Sequence, residues 1–107
     1  MIDYAAARAL MVDRQIAARG VRDARVLAAM RETPREAFVP EALKAHAFDD
    51  GPLPIAAGQT ISQPYVVAIM IEAAELAPSD RVLEIGAGSG YAAAVMSRIA
   101  AQVYAIE

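Results

Sequence analysis

The sequence predicts an α/β fold in which helices come first and one strand–helix–strand unit closes the chain. Three observations predict it. The stretch VLEIGAGSGYAAAVMSRIAAQVYAIE, residues 82–107, reads as a strand, a glycine loop, a helix and a second strand. Residues 1–48 carry helix caps and apolar residues at helical spacing. Between the two regions, DDGPLPIAAGQTISQP (49–64) holds two Asp, two Gly and three Pro, a composition of turns and short extended pieces. One unit is expected over 1–107, made of a helical region (1–48), a Pro/Gly-rich segment (49–64), and a final helix with the strand–helix–strand unit (65–107).

Each element has a local signal. Residues 3–19 are alanine-rich, Asp3 can cap the start, and Gly20 stands where a left-handed C-terminal cap belongs, with apolar Val21 after it. Asp23 can cap a second helix, DARVLAAMRE, whose Val26, Leu27 and Met30 share a face. TPRE (33–36) carries a start signal: Thr33 can accept from the Glu36 amide, the Glu36 side chain can reach back, and Pro34 fills the first helical position. Short helical turns continue through EALKAHAF. PLPI and QTI are extended pieces flanking Ala56, Ala57 and Gly58, as in a hairpin or an irregular loop. PYVVAIMIEAAEL (64–76) predicts a helix ended by Pro78, with Val67, Met70, Ile71 and Ala74 as its core stripe. The final unit is a strand at 81–85, a helix at about 89–100 and a strand at 102–106. One helical connection sets these two strands parallel, with a right-handed crossover.

Composition narrows the function. At 107 residues and 57% hydrophobic, the chain suits one small packed domain. Net charge is −3, which argues against a nucleic-acid binder with a broad basic surface. With no cysteine and a single histidine, His46, thiolate and multi-histidine metal sites are excluded, and no metal is expected. No apolar run approaches the ~20 residues of a membrane span, because Glu72 and Glu75 interrupt the longest candidate. The N-terminus MIDYAAARAL shows no basic stretch ahead of an apolar core, so a cytoplasmic protein is the expectation.

The chemistry concentrates in the glycine loop. Glu84, Gly86, Gly88 and Gly90 form E-x-G-x-G-x-G, delivered by the apolar strand RVLEI. Glycines here permit positive φ and close approach of a ligand to the backbone, and the helix start adds free amides. The dinucleotide fingerprint fails because its third glycine falls on Tyr91, and no Gly-Lys-Ser/Thr marks a P-loop. A carboxylate at the end of the next strand, Glu107, can accept two hydrogen bonds from ribose hydroxyls. The competing reading is a tight strand-to-helix turn and nothing more. Glu84 before the loop and Glu107 after it favour a nucleoside-type ligand. On the residues alone, Ser62 is first an N-cap for the apolar helix behind it, and Thr60 a strand former. Asp49 and Asp50 read as solvated turn residues and His46 as a helix-surface residue. Tyr91 either lines the pocket or only packs.

The loop with its strand-terminal acid resembles motif I of the class I S-adenosylmethionine methyltransferases. GPLPIAAGQTISQPYVVAIM, MVDRQIAARGVRDARVLAAMRETPREAFVP and DRVLEIGAGSGY together resemble the protein-L-isoaspartate O-methyltransferase family along almost the whole chain. The departures are Ala56 and Ala57, where the family often has Gly and then a polar or His residue, and Ala87 and Ala92, where it often has Thr and Gln. The resemblance implies a Rossmann-like class I methyltransferase fold, of which this chain covers the N-terminal half. It implies S-adenosyl-L-methionine as cofactor, held by Glu84, Gly86, Ala87, Gly88, Ser89, Gly90, Tyr91 and Glu107. It implies methylation of the α-carboxyl of L-isoaspartyl residues in damaged proteins, with Ser62 at the catalytic position and Gln59, Thr60, Ile61 and Gln63 holding the isoaspartyl peptide.

The same resemblance places later strands beside the strand at 81–85. The chain alone is therefore expected to be inactive and to expose an open, apolar strand edge through which it can self-associate. The intact enzyme is expected to be a monomer. The alternative is a non-catalytic remnant with weak or no cofactor binding. A nicotinamide-dependent oxidoreductase is disfavoured by the missing third glycine.

Overall fold

The computed structural model describes all 107 residues. The first helix, α1 (Tyr4–Met11), starts where Asp3 accepts from the Ala6 amide at 3.1 Å. It widens to a π turn over Val12–Ile16 and tightens to a 3-10 turn over Ala17–Arg19. Gly20 then takes φ 104°, and the Val21 amide reaches back to Ile16 O at 3.3 Å, which closes the helix and buries Val21. The second helix, α2 (Ala24–Glu32), starts on Asp23, which accepts from the amides of Arg25 and Val26.

The TPRE box does not form. Thr33 is buried and donates its hydroxyl to Ala29 O at 2.7 Å, so it ends α2 instead of starting the next turn. Pro34 stands one position before the 3-10 turn Arg35–Phe38, and Glu36 is drawn away to Arg8 at 3.1 Å. The buried hydroxyl shares the Ala29 carbonyl with the Thr33 amide, which donates to it at 3.0 Å, so the threonine satisfies itself on the helix just finished. A further 3-10 turn spans Glu41–His46.

The Pro/Gly-rich segment is a small antiparallel hairpin. Its strands β1 (Leu53–Pro54) and β2 (Thr60–Ile61) pair Leu53 with Ile61 and Pro54 with Thr60. Its tip passes through two left-handed residues, Ala57 (φ 62°) and Gly58 (φ 70°). The third helix, α3 (Pro64–Ala73), has Pro64 in its first turn and Gln63 as N-cap. The capping expectation for Ser62 is therefore corrected: the helix begins one residue too late for it, and no side chain caps the start. The predicted stripe is half right. Val67 and Ile71 are buried with Ala68, whereas Met70 and Ala74 are exposed.

The last unit matches its expectation. Strands β3 (Arg81–Ile85) and β4 (Gln102–Ile106) are parallel, in register from Arg81–Gln102 to Ile85–Ile106. The helix between them, α4 (Tyr91–Ser97), is shorter than predicted, because Gly90 at φ 85° delays its start and the Ile99 amide turns back to Met96 O to end it. Helices cover one sheet face, where Val82 and Val103 pack against a core built on Val12, Ile16, Met30, Ile61 and Val95. The other face exposes Leu83, Ile85, Tyr104 and Ile106, which the register sets side by side. No helix is long and apolar enough to cross a membrane.

Candidate functional site

The strand β3 ends on Ile85, and the chain must then turn sharply to start α4. Gly86, Gly88 and Gly90 take φ 80°, 57° and 85°, a backbone that side-chain-bearing residues rarely adopt. The amides of Gly86 and Ala87 both donate to Ile106 O, at 2.7 and 3.0 Å, which folds the loop over the end of β4. There Glu107 accepts from the Gly88 amide at 3.1 Å. Open space surrounds a Cβ built on Gly86 or Gly88, so conformation requires glycine here while the space beside it stays free for a ligand.

A hollow of about 120 Å³ lies between this loop and the hairpin. Thr60, Ile61 and Ser62 border it on one side, and Glu84, Gly86, Ala87, Gly88, Ser89 and Tyr91 on the other. The fold thus brings together two groups of residues that the sequence separates by more than twenty positions. An apolar groove of about 400 Å³ adjoins it, sharing Ser62 and Glu84 and running between α3 and β3 past Met70, Leu83 and Ile85.

Glu84 is the most telling group. Its Oε1 atom is buried and has no hydrogen-bond partner. Burial raises its carboxyl above the ordinary value of 4.5. A half-buried carboxylate with an orphaned oxygen beside a glycine loop suits a ligand that brings a donor or a positive charge.

Not every candidate faces the hollow with its side chain. Tyr91 is a core residue: its ring meets Phe38 edge-on at 5.6 Å, and its hydroxyl donates to Met30 Sδ at 3.8 Å. Of the two roles open to Tyr91, packing describes its ring, and burial pushes its phenol up. Ser89 Oγ accepts from the Tyr91 amide at 3.1 Å, a local turn bond just ahead of α4, whose N-cap is Gly90. Ile61 is buried in the core. Gln63 donates to Asp50 Oδ1 at 2.8 Å, and Gln59 sits at the exposed end of the hairpin turn, so neither borders the hollow.

Asp50 is more than a solvated turn residue. Arg19 engages both of its oxygens, with Nη1 at 2.8 Å from Oδ1 and Nη2 on Oδ2, and lies 5.3 Å from the Tyr65 ring centre. The Arg19 hydrogen bonds, with Gln63 second, hold the Asp50 carboxyl down at about 2. His46 Nδ1 pairs with Asp49 at 2.9 Å at the surface. No group of three or more His, Cys, Asp or Glu side chains is placed to hold a metal ion. Arg35 is the residue that sequence reasoning missed. It is fully buried and donates to the backbone carbonyls of Ala47 and Ser62. One arginine among PREAFVP gives no local sign of burial.

The family model "Protein-L-isoaspartate(D-aspartate) O-methyltransferase (PCMT)" matches residues 6–107. The chain belongs to this family. The protein-L-isoaspartate O-methyltransferase of Methylorubrum extorquens (strain PA1) is 67% identical over 105 residues, which are 98% of this chain and 46% of that relative. Protein-L-isoaspartate O-methyltransferase 1 of Rhodopseudomonas palustris (strain HaA2) is 65% identical, over 97% of this chain and 42% of the relative. The chain therefore spans just under half the length of these curated isoaspartate methyltransferases. Among solved structures, a protein-L-isoaspartate O-methyltransferase superposes on 94% of this chain and 33% of its own, with TM-score 0.82 and 33% identity. A Plasmodium falciparum structure of the same description, in complex with S-adenosyl-L-homocysteine, covers 84% of this chain and 40% of its own, with TM-score 0.70 and 27% identity. These matches bear out the Rossmann-like methyltransferase fold, represented here by its N-terminal helices and a parallel strand pair.

Proposed function

We propose that this chain carries the methionine–ribose side of an S-adenosyl-L-methionine site, together with the serine segment of a protein-L-isoaspartate O-methyltransferase. The observation that supports this most is the shared hollow, in which Ser62 from one segment and Glu84 with the glycine loop from another border the same space. Family membership supplies the reaction: methylation of the α-carboxyl of L-isoaspartyl residues in damaged proteins. When bound, the cofactor supplies an electrophilic methyl group on a sulfonium. Glu84 offers its unpartnered oxygen to the cofactor's amino group, directly or through a water. Gly86 and Gly88 let the ligand lie against the backbone. Glu107, already held by Gly88, presents its second oxygen to the ribose hydroxyls.

The nucleophile needs little activation. A carboxylate with pKa of roughly 4 is ionised near neutral pH, so no general base is required. The protein's task is to align carboxylate and methyl and to exclude water. In this reading the Ser62 hydroxyl orients one carboxylate oxygen while the other attacks. Thr60 lies on the same border, and Gln59 and Gln63 flank it as contacts to the peptide backbone. The proposal carries a cytoplasmic setting and a monomeric intact enzyme.

These 107 residues border the hollow with the hairpin and the glycine loop, and they leave the face of Leu83, Ile85, Tyr104 and Ile106 bare. We therefore expect the chain alone to bind the cofactor weakly and to transfer no methyl group. A chimaera tests this, with residues 1–107 replacing the matching segment of the Methylorubrum extorquens relative. Calorimetric titration with S-adenosyl-L-homocysteine should show tight binding to the chimaera and much weaker binding to the chain alone. A chimaera that folds and fails to bind contradicts the proposal.

A further inference from the structure

Arg35 is an unusual residue for the interior. It has no exposed surface, and no carboxylate is paired with it. Its Nε donates to Ala47 O at 2.6 Å and its Nη2 to Ser62 O at 2.9 Å. Ala47 precedes the hairpin strands by six residues and Ser62 directly follows β2, so one planar fork ties together the two flanks of the hairpin. The guanidinium carbon lies 4.9 Å from the centre of the Tyr91 ring, and Tyr91 directly follows Gly90. One side chain therefore touches the chain ahead of the hairpin, the serine segment and the residue after the glycine loop.

Burying a cation without a counter-charge is costly, and an apolar side chain of similar volume fills such a site at less cost. What an apolar residue cannot do is fix two carbonyls and an aromatic face in one geometry. Lysine cannot do it either, because it is a point charge without a rigid fork. Burial lowers the proton affinity of Arg35, yet arginine starts high enough to stay charged.

We propose that Arg35 is a positioning residue for methyl transfer, bracing the backbone of Ser62 against the glycine loop through Ala47, Ser62 and Tyr91. This rests on the reading of Ser62 and the hollow given under Proposed function. Arg35 touches neither cofactor nor peptide; it sets where Ser62 stands.

The test compares Arg35→Lys and Arg35→Met with Val26→Ala, a large-to-small change at a buried site in α2 outside the brace. All are made in the chimaera and assayed on an isoaspartyl peptide. The kcat of both Arg35 variants should fall about tenfold to a hundredfold, the scale set by small misplacements of reacting groups. Their dissociation constant for S-adenosyl-L-homocysteine should change by no more than about threefold, since ground-state cofactor binding is not what the brace supplies. Val26→Ala should lose thermal stability and keep its kcat. In the 107-residue chain, the carbonyl 13C resonances of Ala47 and Ser62 should move together in Arg35→Lys, which reports the brace even if Arg35→Met fails to fold. Parental turnover in Arg35→Lys, an equal kcat loss in Val26→Ala, or unmoved carbonyl resonances overturns the proposal. A parent chimaera without activity overturns the reading of the hollow instead, and the carbonyl pair tells the two failures apart.

Discussion

Glu84 carries opposed contributions to folding and to binding. Its buried, unpartnered oxygen raises the carboxyl above 4.5, so its ionisation disfavours the folded state. That cost is absent below the ordinary value and grows as pH rises through the raised one. Glu84→Gln should therefore melt at or above the parent temperature at pH 7 and show no gain at pH 4, while binding S-adenosyl-L-homocysteine more weakly. Thermal melts at the two pH values with one titration check this; a lower melting temperature at pH 7 with intact binding contradicts it. Asp50 has the opposite sign. Its carboxyl, held at about 2 by Arg19, contributes stability that is present above its ordinary value of 3.8 and is lost only as pH falls toward 2. Ser62→Ala in the chimaera should reduce turnover with little change in cofactor affinity; an equal loss of both points to a structural role. At this scale the sequence was informative where a residue's partner is close along the chain, as for Asp3, Asp23 and Gly20. It was silent where the partner lies far off. Nothing near Arg35 announces Tyr91, and nothing near Asp50 announces Arg19, because folding alone brings those pairs together.

The elements differ in how much of their form was written locally. The glycine loop is the clearest case, since three positive φ angles in five residues follow from the glycines themselves. Gly20 closes the first helix at φ 104° with open space around it, so Gly20→Ala strains only the backbone. The expected loss is about 1 kcal/mol, read from a urea melt. The capping box at 33–36 failed because its threonine is buried and the preceding helix offers a carbonyl first. The stripe on α3 was half wrong for a related reason. Helical spacing identifies residues that share a face, and it does not say how far the covering layer extends. Met70 lies along the groove between α3 and β3, where these residues place no neighbour over it.

The whole molecule is built as a one-sided structure. Helices cover one face of the β3–β4 pair, and the other presents four adjacent large apolar side chains. Contiguous apolar surface of this kind, next to an unpaired strand edge, promotes association. The chain alone should self-associate with rising concentration in sedimentation velocity, and Leu83→Lys with Tyr104→Lys should return it to monomer; a parent that stays monomeric at high concentration contradicts this. The family and the parallel pair were legible from the sequence, while a site role for the serine segment came only through the family resemblance. The shape of the hollow was not, because it is made by α3, the hairpin and β3 meeting across long stretches of chain. The most direct measurement is transfer of labelled methyl from S-adenosyl-L-methionine by the chimaera to two peptides that differ only in an isoaspartyl or aspartyl linkage. Label in the isoaspartyl peptide alone is the predicted result. Absence of transfer from a folded, cofactor-binding chimaera, or equal label in both peptides, would contradict it.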